Sequence, residues 1–380
     1  MNTRARIARR SAVQPSLDGL EARELMSSVP AHVAEIAALS ATHRPTVSTI
    51  GQLATTLSHT VSTVPANGDV NPYGVAFVPA DFARGGVLHP GDVLVSNFNN
   101  SQNLQGTGTT IVRITPDGQR SVFFQGPQGV GLSTALGVLK KGYVLVGNLP
   151  STDGTSATAG QGSLLVLDKN GRIVADFANA ALLNGPWDLT IHDNGNRAQI
   201  YVSNVLSGTV SRFDVSLSAR GGFHLVSATQ IASGYAHRGD PAAFELGPTG
   251  LAYDARHDTL YVASTADNAI FAIHHAGTTR GDGGTGPIAY RDNARLHGPL
   301  GLTFAPDGNL IVANGDAVNA DPHQPNELVE FTPHGQFIGQ VSLNPTPGAA
   351  FGVASSSGRN SMFAAVDDVL NSVRLWPLRR

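Results

Sequence analysis

Nearly the same stretch of sequence recurs six times along the chain. One copy reads GPTGLAYDARHDTLYVAS from Gly247 to Ser264, and close relatives begin at Gly185 (GPWDLTI…IYVSN) and at Gly298 (GPLGLTF…LIVAN). The six copies start at intervals of 51 to 63 residues and together occupy residues 71–380. A repeat of this length is typical of an array of similar units, each of which buries its apolar face against its neighbours.

Each copy contains three or four short runs with the composition of β-strands. The runs are rich in β-branched and aromatic residues, and Gly, Asn, Asp and Pro bound them. Turn sequences such as PDG at Pro116 and Pro306 lie between them. About fifty residues with four strands are typical of one propeller blade. The sequence therefore predicts an all-β fold, a six-bladed β-propeller of four-stranded antiparallel blades.

The two ends of the chain are predicted to close the ring. The sixth copy has only three runs before Arg380, and the segment TVSTIGQLATTLSHTVSTV (46–64) ahead of the first copy resembles a strand. We expect residues 45–65 to supply the missing fourth strand of the last blade, which would hide its edge. The propeller would then span residues 45–380, and residues 1–44 would form a disordered tail outside it.

Composition excludes several kinds of partner. The net charge is −3 and no basic stripe is present, which argues against nucleic-acid binding. No apolar run reaches the roughly 18 residues of a membrane-spanning helix, and without cysteine there are no disulfides and no thiolate metal ligands. We expect a monomer whose partner is a protein, a small molecule or a carbohydrate.

The repeat, written as GPxGL…LYVA…N…I…F, resembles the NHL repeat. From about residue 66 the chain is similar to the six-bladed superfamily that includes the SMP-30/gluconolactonase proteins. This resemblance implies the same fold, but it leaves the function open. The superfamily contains binding modules as well as metal-dependent lactonases, phosphotriesterases and lyases.

A second resemblance lies near the start of the chain. The stretch Leu20-Glu21-x-Arg23-x-Leu25-Met26-Ser27 is similar to a Leu-Glu-x-Arg-x-Leu-Leu-Ser segment that opens many exported or surface proteins of certain bacteria. It implies an export leader and an extracellular or cell-envelope location. A tail with a single helical turn is an equally good interpretation of eight residues.

One face of the ring should collect the candidate functional groups. Inner strands begin there, second strands end there, and the longest connections lie there, so we call it the loop face and its opposite the turn face. The second strands end in a ring of oxygen-bearing side chains: Asn97, Asn148, Asn204, Asn314 and Asp367. Such a ring suits Ca²⁺, or Mg²⁺, at the mouth of the channel. The favoured alternative is that these side chains end strands by bonding their own turns.

Histidines and carboxylates on the same face are candidates for catalysis. His297, His237 and His323 are expected on neighbouring blades, close to Asp240, Asp316 and Asp321. Such a group would supply a general base or metal ligands, although loop histidines are more often simply solvated. Tyr73, Trp187 and Asp188 begin inner strands and complete the candidate binding surface.

Two further observations weigh binding against catalysis. The connections between second and third strands are long in blades 1, 2 and 5 (98–108, 149–162 and 315–326), as in a recognition surface. The resemblance implies a lactonase Glu at the start of the first blade, where this chain has Asn71. We therefore expect an exported or surface-associated module that binds through the loop face. The alternative is a divalent-metal-dependent hydrolase, lactonase or lyase.

Overall fold

The computed structural model describes residues 47–218, 222–324, 326–358 and 360–379, and it confirms the six-bladed β-propeller. Each blade is a four-stranded antiparallel sheet, and an additional two-stranded hairpin is inserted between blades 3 and 4. The predicted tail of residues 1–44, with its leader-like motif, lies outside the described residues.

The strands follow the chain order from the inside of each blade to its outside. Blades 1 to 3 contain β2 (Val70–Phe77), β3 (Val93–Asn99), β4 (Thr110–Ile114), β5 (Arg120–Gln125); β6 (Leu132–Leu139), β7 (Tyr143–Asn148), β8 (Ser163–Asp168), β9 (Ile173–Phe177); β10 (Pro186–Asp193), β11 (Arg197–Asn204), β12 (Thr209–Ser218), β13 (Gly222–Ser233). The inserted hairpin is β14 (Arg238–Asp240) and β15 (Phe244–Leu246). Blades 4 to 6 contain β16 (Pro248–Asp254), β17 (Thr259–Ser264), β18 (Ala269–His274), β19 (Ile288–Tyr290); β20 (Pro299–Phe304), β21 (Leu310–Asn314), β22 (Asn326–Phe331), β23 (Phe337–Asn344); β24 (Ala350–Ser355), β25 (Met362–Asp367), β26 (Ser372–Pro377).

The last blade is completed by a strand from the other end of the described chain. Strand β1 (His59–Ser62) pairs antiparallel with β26, so that Thr60 lies opposite Arg374 and Val61 opposite Val373. The ring is therefore closed by hydrogen bonds between its first and last strands. The closing strand is shorter than the expected 45–65, because the residues before it are helical.

Helix α1 (Thr49–Thr55) replaces the first half of the expected strand. The Ser48 hydroxyl accepts a hydrogen bond from the Gly51 N–H. Two carboxylates of blade 5 accept hydrogen bonds from the N–H groups of the first two helical residues. The pairs are Ile50 N to Glu330 Oε2 (2.7 Å) and Thr49 N to Asp307 Oδ2 (3.1 Å). Negative charge stabilises a helix N-terminus, so tertiary contacts override the β-branched composition. The described residues include no helix with the length and hydropathy of a membrane-spanning segment.

Neighbouring blades pack through their apolar faces. Leu94 and Ile111 of blade 1 share a buried cluster with Val144 and Val146 of blade 2. Across the closing seam, the valines of blade 1 pack in the same way against those of blade 6. Most of the apolar burial is thus between blades, which explains why the chain repeats one pattern rather than forming independent sheets.

Each inner strand carries a bulge at the repeated motif. The register with the second strand shifts in all six blades, for example between Pro299 and Leu302. Neighbouring inner strands approach closely at this bulge: a Cβ atom on Gly301 would collide with the carbonyl oxygen of Phe351. Four blades therefore have glycine there, namely Gly74, Gly250, Gly301 and Gly352. Blade 3 has Asp188 instead.

The closing seam predicts a stabilising cross-link. Because the native chain has no cysteine, the double variant Thr60→Cys/Arg374→Cys should form one disulfide between facing residues of β1 and β26. It would tie almost the whole propeller into a loop, for which loop-closure entropy gives an upper bound of about 6 kcal/mol, and disulfides typically stabilise by about 2–4 kcal/mol. Thermal unfolding of the oxidised protein should occur at a higher temperature than that of the same protein after reduction. Failure of the two thiols to cross-link in the folded protein would contradict the closure.

Candidate functional site

The channel is filled on the loop face. Five aromatic side chains, which we call the aromatic plug, meet there: Tyr73, Phe98, Trp187, Phe244 and Phe351. The ring centroids of Tyr73 and Phe351 are 4.5 Å apart, and those of Phe98 and Trp187 are 5.5 Å apart. The space left between the plug and the inner strands is too small for a water molecule. The expected channel mouth on this face is therefore closed, and Tyr73 and Trp187 are buried.

The plug is covered by loops that bond to one another. The β14–β15 hairpin contributes Phe244, which is fully buried and has a left-handed backbone (φ 66°). The blade 1 loop donates from Gln105 Nε2 to the Ala242 carbonyl of this hairpin (3.2 Å). The blade 2 loop joins them, because Ser151 N donates to the Gly106 carbonyl (2.8 Å). Two of the three long loops thus serve to hold the plug in place.

The strand-ending side chains of the ring are all engaged in hydrogen bonds with the protein itself. In blades 2, 3 and 5 the amide oxygen accepts from a backbone N–H that precedes the inner strand: Asn148 from Gly131 (2.9 Å), Asn204 from Asn184 (3.1 Å) and Asn314 from His297 (3.0 Å). Asn97 donates to the Thr63 carbonyl, and Asp367 accepts from Leu370 N and from Asn344 Nδ2. These bonds fasten the connections between blades. Within the described residues, no three His, Asp or Glu side chains form a ready-made metal site.

The three candidate histidines have different surroundings. His237 and His323 are exposed. The His237 ring bonds to the Tyr235 carbonyl (3.1 Å), and His323 N donates to Asp321 Oδ1 (2.9 Å). The nearby Asp240 accepts from the N–H groups of its own turn. His297, in contrast, is only 2% exposed.

His297 belongs to a buried polar group that we call the blade 5 cluster: His297, Asp316 and Glu327. The His297 Nε2 atom is 3.8 Å from Glu327 Oε1, and Glu327 is 3% exposed. Burial raises the pKa of Glu327 to about 7, although the His297 ring opposes the shift and Asp316 adds to it. Burial also raises the pKa of Asp316. His297 and Asp316 were predicted from the sequence to lie close together, whereas Glu327 was not among the predicted site residues.

The channel is open on the turn face, below the plug. Inner-strand residues of all six blades enclose a cavity of about 260 Å³, which we call the axial pocket. It shares Thr190, Leu251, Thr303 and Ser355 with a second cavity of about 380 Å³, which is lined mainly by strand ends and turns of blades 4, 5 and 6. The axial pocket is closed at one end by the plug and accessible at the other.

Asp188 is the only ionisable side chain among the described residues that line the axial pocket. Its Oδ1 accepts from Leu189 N (2.8 Å) and its Oδ2 from Leu251 N of blade 4 (3.2 Å). The enclosing protein raises the pKa of Asp188 to about 7, although these two N–H groups favour the ionised form. No Arg, Lys or His side chain in the described part of the chain pairs with it.

A hydroxyl group adjoins both the axial pocket and the floor of the plug. Thr134 is 8% exposed, and its Oγ1 atom has no hydrogen-bond partner among the described residues. The Asp188 carboxyl, whose pKa is about 7, can donate or accept a proton near neutral pH. The axial pocket can therefore bind a small polar molecule and exchange a proton with it.

The pKa of Asp188 predicts a particular pH dependence of stability. A folded-state pKa near 7 means that the folded protein holds a proton that the unfolded chain, with an ordinary Asp, has lost. Lowering the pH from 8 to 4 should therefore stabilise the wild type relative to Asp188→Asn, on the order of 2–4 kcal/mol. Chemical denaturation across this range measures the difference. The non-titrating pocket variant Thr303→Val should follow the wild type in parallel. If the free energy of unfolding changed with pH in the same way for wild type and D188N, the raised pKa of Asp188 would be contradicted.

No protein-family model matches this chain. No curated protein matches it either. Among solved structures, it is similar to a gluconolactonase from Xanthomonas campestris (15% identity, TM-score 0.53, 86% of this chain and 92% of that one). It is also similar to a candidate gluconolactonase (15%, 0.51, 84% and 92%) and to the calcium-binding protein regucalcin from Agrobacterium tumefaciens (14%, 0.48, 84% and 97%).

At these identities the likeness extends to the fold and no further. The chain therefore shares the six-bladed propeller fold with the two gluconolactonase-like structures. What it binds or converts depends on its own side chains.

Proposed function

We propose that this protein binds a small polar molecule in the axial pocket, through the turn face, and that Asp188 recognises it. The observation that carries the proposal is a carboxyl group without a cationic partner at the closed end of an accessible pocket. The cavity of about 260 Å³ suits a small molecule rather than a polypeptide. The proposal keeps the binding role predicted from the sequence but moves it to the opposite face.

The chemistry of the pocket favours a ligand with hydrogen-bond donors. Asp188 accepts hydrogen bonds when ionised, and the hydroxyls of the half-buried Thr190 and Thr303 offer further donors and acceptors along the wall. An amine or a hydroxyl group of the ligand that reached Asp188 would favour its ionised form. Binding of an amine should therefore release a proton from the protein near pH 6.

A second candidate is a hydrolase that acts in the same pocket, with Asp188 as general acid or base. Its pKa of about 7 favours this role, since proton transfer is most effective near the working pH. Two structures of the same fold are described as gluconolactonases, so a sugar lactone is the first substrate to test. At the start of blade 1, Asn71 stands where the lactonase resemblance implies Glu. Whether such hydrolase activity would depend on a metal ion is thus a separate question from the role of Asp188.

The test is calorimetric titration with small primary amines, polyols and glucono-1,5-lactone. We expect at least one of these probes to bind the wild type, with an affinity that falls at least about tenfold in D188N, as loss of one charge-assisted hydrogen bond predicts. Ser355→Trp, which narrows the pocket at the turn face, should abolish binding. Thr152→Trp, on an exposed position of the loop face, should leave it unchanged.

Two results would overturn the proposal. Binding that is lost in T152W and kept in S355W would move recognition back to the loop face. Equal affinity of wild type and D188N for every bound probe would remove Asp188 from the site. Lactone hydrolysis by wild type but not by D188N would favour the second candidate. Export of the chain, its location at the cell surface and recognition of a protein by the loop face stay predictions.

A further inference from the structure

We propose that the blade 5 cluster is a binding site for one divalent transition-metal ion, held by His297 Nε2 and Glu327 Oε1. This site is separate from the axial pocket and would fasten the blade 5 loop to its blade. It also differs from the cation site predicted at the ring of Asn side chains, because an imidazole and a buried carboxylate are its ligands.

His297 has the tautomer that a metal ligand requires. Its Nδ1 atom is 2.6 Å from the Asn319 carbonyl oxygen, which can only accept a hydrogen bond. Nδ1 therefore carries the proton, and a neutral ring then has its lone pair on Nε2. A histidine that donates its other N–H to a backbone carbonyl is the usual arrangement around a bound metal ion, because that bond orients the ring.

The Nε2 atom of His297 lies among buried polar atoms that lack hydrogen-bond partners within the described residues. His297 Nε2, Glu327 Oε1 and Asp316 Oδ2 are all buried, and none has a hydrogen-bond partner among the described residues. Two acceptors face each other across 3.8 Å between His297 and Glu327. That separation is too long for a direct hydrogen bond. It leaves room for a cation about 2.1 Å from each atom.

The blade 5 loop (315–326) begins beside His297. The backbone of Asp316 donates to the His297 carbonyl (2.7 Å), so the start of the blade 5 loop lies against the histidine. The Asp316 carboxylate interacts electrostatically with both His297 and Glu327, which makes it the candidate third ligand, and water would complete the coordination shell. An exposed residue, Asn319, covers the ring, so a single layer of chain separates the site from solvent.

The ligand types indicate the class of metal. Imidazole and carboxylate together favour Zn²⁺, Mn²⁺, Co²⁺ or Ni²⁺ over Ca²⁺, which prefers six to eight oxygen atoms. Within the described residues, no third ligand is already in position. The blade 5 loop would have to move inwards when the ion binds, so we expect the affinity to be modest.

The site is tested by titrating chelator-treated, full-length protein with Co²⁺ and with Zn²⁺. We expect one equivalent of Co²⁺ to bind and to give visible absorption that Zn²⁺ displaces. Affinity should fall at least about 100-fold in His297→Gln and in Glu327→Gln, since each removes a direct ligand. His323→Gln, an exposed histidine of the same loop, is the matched control and should bind as the wild type does.

A measurement on the wild type alone covers variants that fail to fold. The ¹⁵N resonance of His297 Nε2 should shift on addition of Zn²⁺, while those of His237 and His323 stay in place at one equivalent. If the wild type takes up no stoichiometric metal ion, the proposal is overturned. The residues of the cluster would then share only a proton. Uptake that H297Q and E327Q retain would overturn it as well, because the ion would then lie elsewhere.

Discussion

The close approach of neighbouring inner strands at the bulge is the constraint on which the rest of the molecule depends. Six strands can surround one axis at this spacing only if little or no side chain projects between them. Gly301 and Gly352 meet the carbonyl oxygens of the following blade without a Cβ atom in the way. The same constraint makes Asp188 conspicuous, because a carboxyl occupies in blade 3 the position that four other blades leave empty.

The two faces of the propeller follow from what fills the axis. On the loop face, aromatic side chains from three inner strands, one second strand and the inserted hairpin block the channel completely. Below them the inner strands leave a polar pocket with Asp188 at its closed end. A carboxyl group placed in this way keeps its proton until about neutral pH. The plug thus closes the axis on one side, and burial in the protein raises the pKa of Asp188 on the other.

Much of this architecture could be predicted from the sequence. The period and strand composition of the repeat predict six four-stranded blades, and the incomplete sixth copy predicts closure by the preceding segment. Helix α1 could not be predicted in the same way. Its N-terminus depends on Asp307 and Glu330, which lie about 260 and 280 residues away in the chain. Local composition, rich in Thr and Ile, favoured a strand.

The site was predicted less well, and the reasons are physical. Topology placed His297 and Asp316 on one face, and they do meet. Which face holds the open mouth depends on side chains that pack across the axis, and no periodic pattern reveals that. Glu327 gave a usable signal, since two glutamates interrupt the apolar strand NELVEF. A charged residue in a buried strand commonly marks a polar contact or a site.

The direction in which the channel opens can be measured directly with single cysteines, because the native chain has none. Thr303→Cys lies in the wall of the axial pocket, whereas Thr249→Cys lies beneath the aromatic plug. A small charged thiol reagent should modify the cysteine at 303 rapidly in the folded protein and the cysteine at 249 only as fast as the protein unfolds. Rapid modification at 249 with protection at 303 would show that the channel opens on the loop face and would contradict the account.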